Sequence, residues 1–285
     1  MSTSTEEAHK KSLNKAIDYI NANLKNTIDL EALARVSHIS KFHFHRIFRT
    51  HIGESVRSYV SRIRLEKAAQ QLQTTSMSLA RIAPKVGYGS QQSLSKAFKK
   101  HFGMAPSRFR EMRIYFPTLH NLGQRNEHIM EPMIRFVGNF HLVYTRIMGK
   151  YGSSKEYDRA WHRLLEHGKA KEVLNDRTEY LGLSFDDPAI TKDKQCRFYA
   201  CITVEEPLKP EGEFGSLSLE GGKYAIFIHK GPYSGLNGLY RTIYLDWAPN
   251  NGVRLRKGIP FEKYLNSPDK VSQEGLITEI YIPIQ

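Results

Sequence analysis

An internal repeat at an offset of 50 residues restricts the fold of this 285-residue chain more tightly than any other feature of its sequence. Ser40, Phe48, His51 and Gly53 recur as Ser90, Phe98, His101 and Gly103, and upstream Leu33-Ala34 recurs as Ile82-Ala83 with one residue inserted. Each copy reads as helix, tight turn, helix. Asp29, Ser40, Ser78 and Ser90 are suited to cap helices, because a short side-chain oxygen accepts from the free amides of a first turn. Gly53 and Gly103 are suited to stop them. This is the layout of a helix-turn-helix, whose second helix enters a major groove. The N-terminal part is therefore expected to be an all-α double helix-turn-helix.

Helical phase separates core from surface in each second helix. In the first copy Phe44, Ile47 and Phe48 form an inward stripe, leaving Phe42, His45, Arg46 and Arg49 on another face. In the second, Leu94, Ala97 and Phe98 point inward and Gln91, Gln92, Ser95, Lys96 and Lys99 outward. The outer residues suit base edges: Arg pairs with guanine O6 and N7, Gln with adenine N6 and N7, and an exposed Phe meets a thymine methyl. Between the copies SVRSYVSRIRLEKAAQQLQ reads as one amphipathic helix of roughly 28 Å. Two successive groove faces lie about 34 Å apart, so one chain with such a connector can address both. Pro84 shortens or kinks its helix.

Charge supports a polyanionic partner for this part. Residues 1–113 hold 20 Lys and Arg against 8 Asp and Glu, an excess of 12, whereas residues 114–285 hold 22 against 21. Cations placed on phosphates release condensed counterions, which drives binding to double-stranded DNA. The expected division is a DNA-binding domain over residues 8–113, a linker over 114–132 with two prolines, and a second domain over 133–285.

The second domain also repeats. VGNFHLVYTRIMG, SSKEYDRAWHRLLEHG, EYLGLSF and QCRFYACITVE read as strand, helix, strand, strand; KYAIFIHKG, SGLNGLYRTIYLDWAPN, PFEKYLN and LITEIYIPI follow the same order. A duplicated βαββ fold of the α+β class is expected. The final strand alternates Thr278, Ile280, Ile282 and Ile284 with Glu279 and Tyr281, which places a carboxylate beside an aromatic ring. Cations bind such pairs, cation–π contacts contributing roughly 0.5–2 kcal/mol. Tyr151, Trp161, Phe185, Tyr224, Tyr233 and Trp247 are candidate walls of the same pocket.

Several classes of function are disfavoured. MSTSTEEAHKK has no apolar run for export and no segment reaches membrane-spanning length, so a cytoplasmic protein is expected. Cys196 and Cys201, at odd spacing in one strand, point to opposite faces. His43 and His45, two apart in a helix, cannot share a metal, so neither a metal nor a cofactor is expected. Glu279, Tyr281 and His229 come without a nucleophile and its adjacent base, so catalysis is not expected.

The segments RLEKAAQQL and IAPKVGYGSQQSLSKAFKKHFGMAPSRFR resemble the AraC/XylS family of transcription regulators over residues 12–113, and SKFHFHRIF and SQQSLSKAFK are most similar to its MarA/SoxS/Rob group. The resemblance implies that Phe42, His45 and Arg46 form one reader and Gln91, Gln92 and Lys96 the other, and that the protein activates transcription by meeting RNA polymerase. Phe42, His45 and Lys96 stand where that group usually has Trp, Gln and Arg, which bears on the operator sequence. The resemblance also places His38 at a turn position usually held by Gly, which implies a positive φ there. SFDDP, GGKYAIFIHKGPYSG, FEKYLNSP and TEIYIPIQ resemble the GyrI-like effector-binding domain over residues 133–285. That implies a groove between the two halves for a small lipophilic or cationic ligand, met by a carboxylate on the last strand, for which Glu279 is the match. Two alternatives remain open: a hydrolase of small electrophiles fused to a DNA-binding module, and an architectural DNA binder without sequence preference.

Overall fold

A computed structural model of the chain describes residues 3–111, 131–152, 154–188, 190–256 and 258–285. The expected linker falls outside the described residues apart from Glu131 and Pro132. Contacts divide the chain into two compact units, Met1–Pro117 with Pro210–Gly215, and Thr118–Lys209 with Ser216–Gln285.

The first unit is helical: α1 (Thr3–Ala22), α2 (Leu30–Ser37), α3 (Lys41–Ile52), α4 (Val56–Thr74), α5 (Leu79–Lys85), α6 (Gln91–Phe102) and α7 (Pro106–Glu111). Its punctuation is chemical. Asp29 accepts from Ala32 N at 2.6 Å, and Ser90 forms a reciprocal capping box with Ser93. Gly53 and Gly103 close α3 and α6 at φ 81° and 74°, where a side chain is disfavoured. His38 ends α2 at φ 55°, the left-handed conformation expected of it. Ser78 holds the cap position of α5 without a side-chain cap bond, and α5 stops one residue after Pro84. Phe44, Ile47 and Phe48 are buried among α1, α2 and the start of α4, each such side chain contributing about 1.5–3 kcal/mol. The repeat extends past the second glycines: Phe48 meets Tyr59 edge-on at 5.4 Å, and Phe98 meets Phe109 edge-on at 5.1 Å.

The second unit is built on one eight-stranded sheet of order β1-β6-β8-β7-β3-β4-β2-β5. Its strands are β1 (Met133–Val137), β2 (Phe140–Met148), β3 (Tyr180–Ser184), β4 (Arg197–Val204), β5 (Phe214–Leu219), β6 (Gly222–Lys230), β7 (Phe261–Tyr264) and β8 (Ile277–Pro283). Helix α8 (Ser154–Ala170) belongs to the first half. The second half carries α9 (Leu236–Thr242), a π-helical turn at Ile243–Trp247 and α10 (Ala248–Asn250), where a single regular helix was expected. The two βαββ halves join through antiparallel β3 and β7. Sequence reading missed β1 and β5. Each joins the half it does not belong to, β1 beside β6 and β5 beside β2, so neither has the local hairpin signal that betrays a strand.

The sheet has two differently furnished faces. One carries Tyr144, Leu181, Tyr199, Cys201, Tyr224, Phe261 and Tyr281 in a continuous aromatic core. On the other, Phe227, Ile280, Ile282 and Ile284 pack against Leu236 and Ile243, with Tyr240, Tyr244 and Trp247 alongside. No helix among the described residues is long and apolar enough to cross a membrane.

Candidate functional site

In the first unit the outward stripes of α3 and α6 lie on the surface. Phe42 is 83% exposed. Arg46, Arg49, Gln91, Gln92, Lys96 and Lys99 are exposed, and His45 and Ser95 are half-buried. Arg46 Nη2 lies 3.2 Å from His43 Nδ1 on the next turn. No carboxylate is among the residues of either stripe, so both present donors and positive charge outward.

In the second unit the expected pocket residues do not share one site, because the sheet separates them. Glu279, Tyr281, Tyr224 and Phe185 belong to the aromatic-core face. Tyr233 and Trp247 lie on the helix-covered face, where Trp161 meets Tyr264 and Trp247 meets Phe227. Tyr151 also meets Phe198, whose neighbour Tyr157 comes from α8. Its hydroxyl donates to backbone oxygen at Asp186 and Arg197. A single pocket containing all eight is therefore corrected to two groups on opposite faces.

The carboxylate that sequence reading missed is Glu262. Strands β7 and β8 each carry a Glu-x-Tyr triplet, and in each the tyrosine hydroxyl donates to the glutamate two residues before it: Tyr264 to Glu262 at 2.5 Å and Tyr281 to Glu279 at 2.8 Å. Register sets the triplets on opposite faces, since Glu262 lies opposite Ile280 and Lys263 opposite Glu279. Their electrostatic settings diverge accordingly. Glu279 is half-buried with Lys263 as its direct cross-strand neighbour, and the Lys263 ammonium pairs with Glu179 at 2.5 Å. Glu262 is buried, and its hydrogen-bond partners are the phenols of Tyr264 and Tyr240. Burial pushes its carboxyl up to about 7, opposed by those two hydrogen bonds.

Around Glu262 stands an aromatic rim. Tyr264 meets Trp161 of α8 at 5.7 Å and Tyr233 at 5.3 Å, and Tyr240 stacks with Tyr244 at 6.4 Å. Each of these rings is half-buried while the carboxyl beneath them is nearly closed off. The same burial raises the Tyr233 phenol to about 12, so it remains a neutral donor. Gly182 makes the arrangement possible: a Cβ there would collide with the Tyr264 hydroxyl and the Phe198 ring. Thr278, opposite Tyr264 in the register, is fully buried, and its hydroxyl has no hydrogen-bond partner among the described residues. A buried acid, a ring of π faces and a spare hydroxyl at Thr278 suit an organic cation, which gains from both the carboxylate and the rings.

Comparison with known proteins agrees with this division of labour. A family model described as a GyrI-like small molecule binding domain matches residues 130–285, and a helix-turn-helix domain model matches residues 33–112. The transcriptional regulator Rob of Salmonella typhimurium is 25% identical over 283 residues, spanning 94% of this chain and 96% of that protein. The HTH-type transcriptional activator AarP of Providencia stuartii is 37% identical over 98 residues, 34% of this chain and 73% of its own length. Among solved structures, the EcmrR C-terminal domain aligns with a TM-score of 0.47 at 23% identity, covering 55% of this chain and 99% of that one.

Proposed function

The chain belongs to the GyrI-like small molecule binding family and carries that domain behind an AraC-type helix-turn-helix domain; on that premise we propose that it is a cytoplasmic, ligand-responsive transcription activator. Residues 8–113 bind DNA, residues 114–132 connect, and residues 133–285 sense the ligand. Phe42, His45, Arg46 and Arg49 read one major groove; Gln91, Gln92, Ser95 and Lys96 read the next, where Lys99 meets the phosphate backbone. Activation is supported by the likeness to AarP, an activator by name, and implies a contact with RNA polymerase.

The sensed molecule is a small lipophilic cation whose charge meets Glu262 beneath Trp161, Tyr233, Tyr240 and Tyr264. The single observation that carries this reading is a buried carboxyl that accepts from phenols and lies beneath a rim of half-buried aromatic rings. A protein gains nothing in stability from such a group, so its presence points to a ligand. The same carboxyl, poised near neutrality, also suits general acid or base work, which favours hydrolysis of small electrophiles as the second reading.

Selection of bound fragments from random DNA by the full chain, with and without a panel of lipophilic cations, tests the proposal. Recovery of one bipartite sequence whose retention changes with cation supports it. Recovery of unrelated sequences indicates an architectural binder, and turnover of a bound compound indicates the hydrolase.

A further inference from the structure

Two readers on one helix still have to be fixed in rotation about it, and the structure holds a polar joint suited to that task. Helix α4 gives Val56, Tyr59, Val60 and Ile63 to the core of the first module. Further along, Leu65, Ala68, Ala69 and Leu72 are buried where α4 packs against α5, α6 and α7. Arg64 lies between these two sets. Its Nε donates to Leu24 O at 2.9 Å and its Nη2 to Asn26 O at 2.6 Å, so the planar fork holds the segment following α1 in the first module.

The other side of the same guanidinium faces the turn of the second module. Gly87, between α5 and α6, has φ 82°, and a Cβ there would lie 2.6 Å from Leu24 O and 2.7 Å from Arg64 Cζ. The turn thus touches a carbonyl of the first module and the arginine that binds it, with no room for a side chain. Tyr88 adds a contact, its hydroxyl 3.5 Å from Ser61 Oγ on α4. Three segments distant in sequence, 24–26, 64 and 87–88, converge at one planar group.

We propose that Arg64, seated against Gly87, is a positioning residue that sets the angle between the α3 and α6 reader helices and thereby the half-site spacing the chain accepts. The proposal rests on the two-groove reading above. Changing the spacing by one base pair moves a half-site by about 3.4 Å and turns it by roughly 35°, since successive faces recur at 34–36 Å and 10–10.5 base pairs. A fixed joint resists that displacement, and a loosened one follows it.

The test measures affinity of the full chain for duplexes carrying its two selected half-sites at the selected spacing and at one base pair more or less. For the unaltered protein the shifted spacings are expected to lose about tenfold or more, the scale of one good base contact. For Arg64→Ala the loss is expected to shrink to about threefold or less, with binding to a single half-site unchanged, whereas Arg64→Lys, which keeps one donor nitrogen but not the planar fork, falls between. Spin labels at the exposed sites Thr50→Cys and Lys100→Cys supply a readout without DNA; Cys196 and Cys201 are buried, which favours labelling at the introduced sites. One narrow label distance that broadens on adding Arg64→Ala supports the joint. An unchanged spacing profile together with an unchanged distance overturns it. Should Arg64→Ala lose its helical signal, Gly87→Ala decides by the same criteria. If the unaltered chain holds paired half-sites no tighter than one, the two-groove reading falls, and the proposal with it; a broadened distance would then speak only for the joint.

Discussion

Ligand affinity in this protein is expected to depend on pH through Glu262, and the size of the effect follows from its carboxyl. With ionisation centred near 7, about one molecule in eleven carries the charge at pH 6 and about ten in eleven at pH 8. A permanently charged lipophilic cation that binds only the ionised form should therefore bind about tenfold more tightly at pH 8 than at pH 6. A neutral molecule of the same shape should show no such gain. Stability runs the other way. The folded carboxyl lies above its ordinary value of 4.5, so its relative contribution to stability is intact below that value and is lost as pH rises through about 7. The loss amounts to roughly 3 kcal/mol by pH 8. Glu262→Gln keeps a polar partner for Tyr264 without the charge, and should raise the Tm of the second unit by about 6–12 °C at pH 8 and hardly at pH 4. Calorimetric titration of a quaternary ammonium or phosphonium compound at several pH values, with thermal melts of both forms, measures both effects. Cation affinity that is flat with pH, or a Glu262→Gln form that keeps its preference for cations over neutral molecules, would refute the reasoning.

Other expectations concern separate parts of the molecule. Arg46→Ala or Gln92→Ala should cost about 1–3 kcal/mol on the selected site and less on random DNA, and equal losses on both would show that neither reads bases. Lys99→Ala, as a phosphate contact, should weaken all sequences alike and lower the salt slope by about one. Gly182→Ala should displace Tyr264 from Glu262, destabilise the domain by about 1–3 kcal/mol through overpacking and abolish cation binding in the same titration. Arg197 pairs with Asp186 at 2.6 Å with both side chains nearly buried; Asp186→Ala removes the carboxylate from this buried pair and should cost about 3–5 kcal/mol in a denaturant melt.

Most of the DNA-facing half was legible because its signals are local. Caps at Asp29, Ser40 and Ser90, stops at Gly53 and Gly103, and the buried stripes Phe44-Ile47-Phe48 and Leu94-Phe98 each depend on residues within a few turns. The sensor was legible only in part. Strands β1 and β5 pair with the half they do not belong to, and no local pattern records a partner roughly 75 to 90 residues away. Period-two alternation separated Glu279 and Tyr281 from Ile280 and Ile282 correctly, but it cannot say which of two Glu-x-Tyr strands turns its acid toward the helices. That depends on the register of β7 against β8 and β3. The signal for Glu262 was present as FEKY: a glutamate alternating in phase with a tyrosine, in a strand whose neighbours bury both faces.

Hydroxyl-radical footprinting of the full chain on its selected DNA bears most directly on the claim that two reader helices address one duplex. Two protected patches about one helical turn, 10–10.5 base pairs, apart on the same face of the duplex are expected, with Arg46→Ala weakening one and Gln92→Ala the other. A single patch, or two patches on opposite faces, would contradict it.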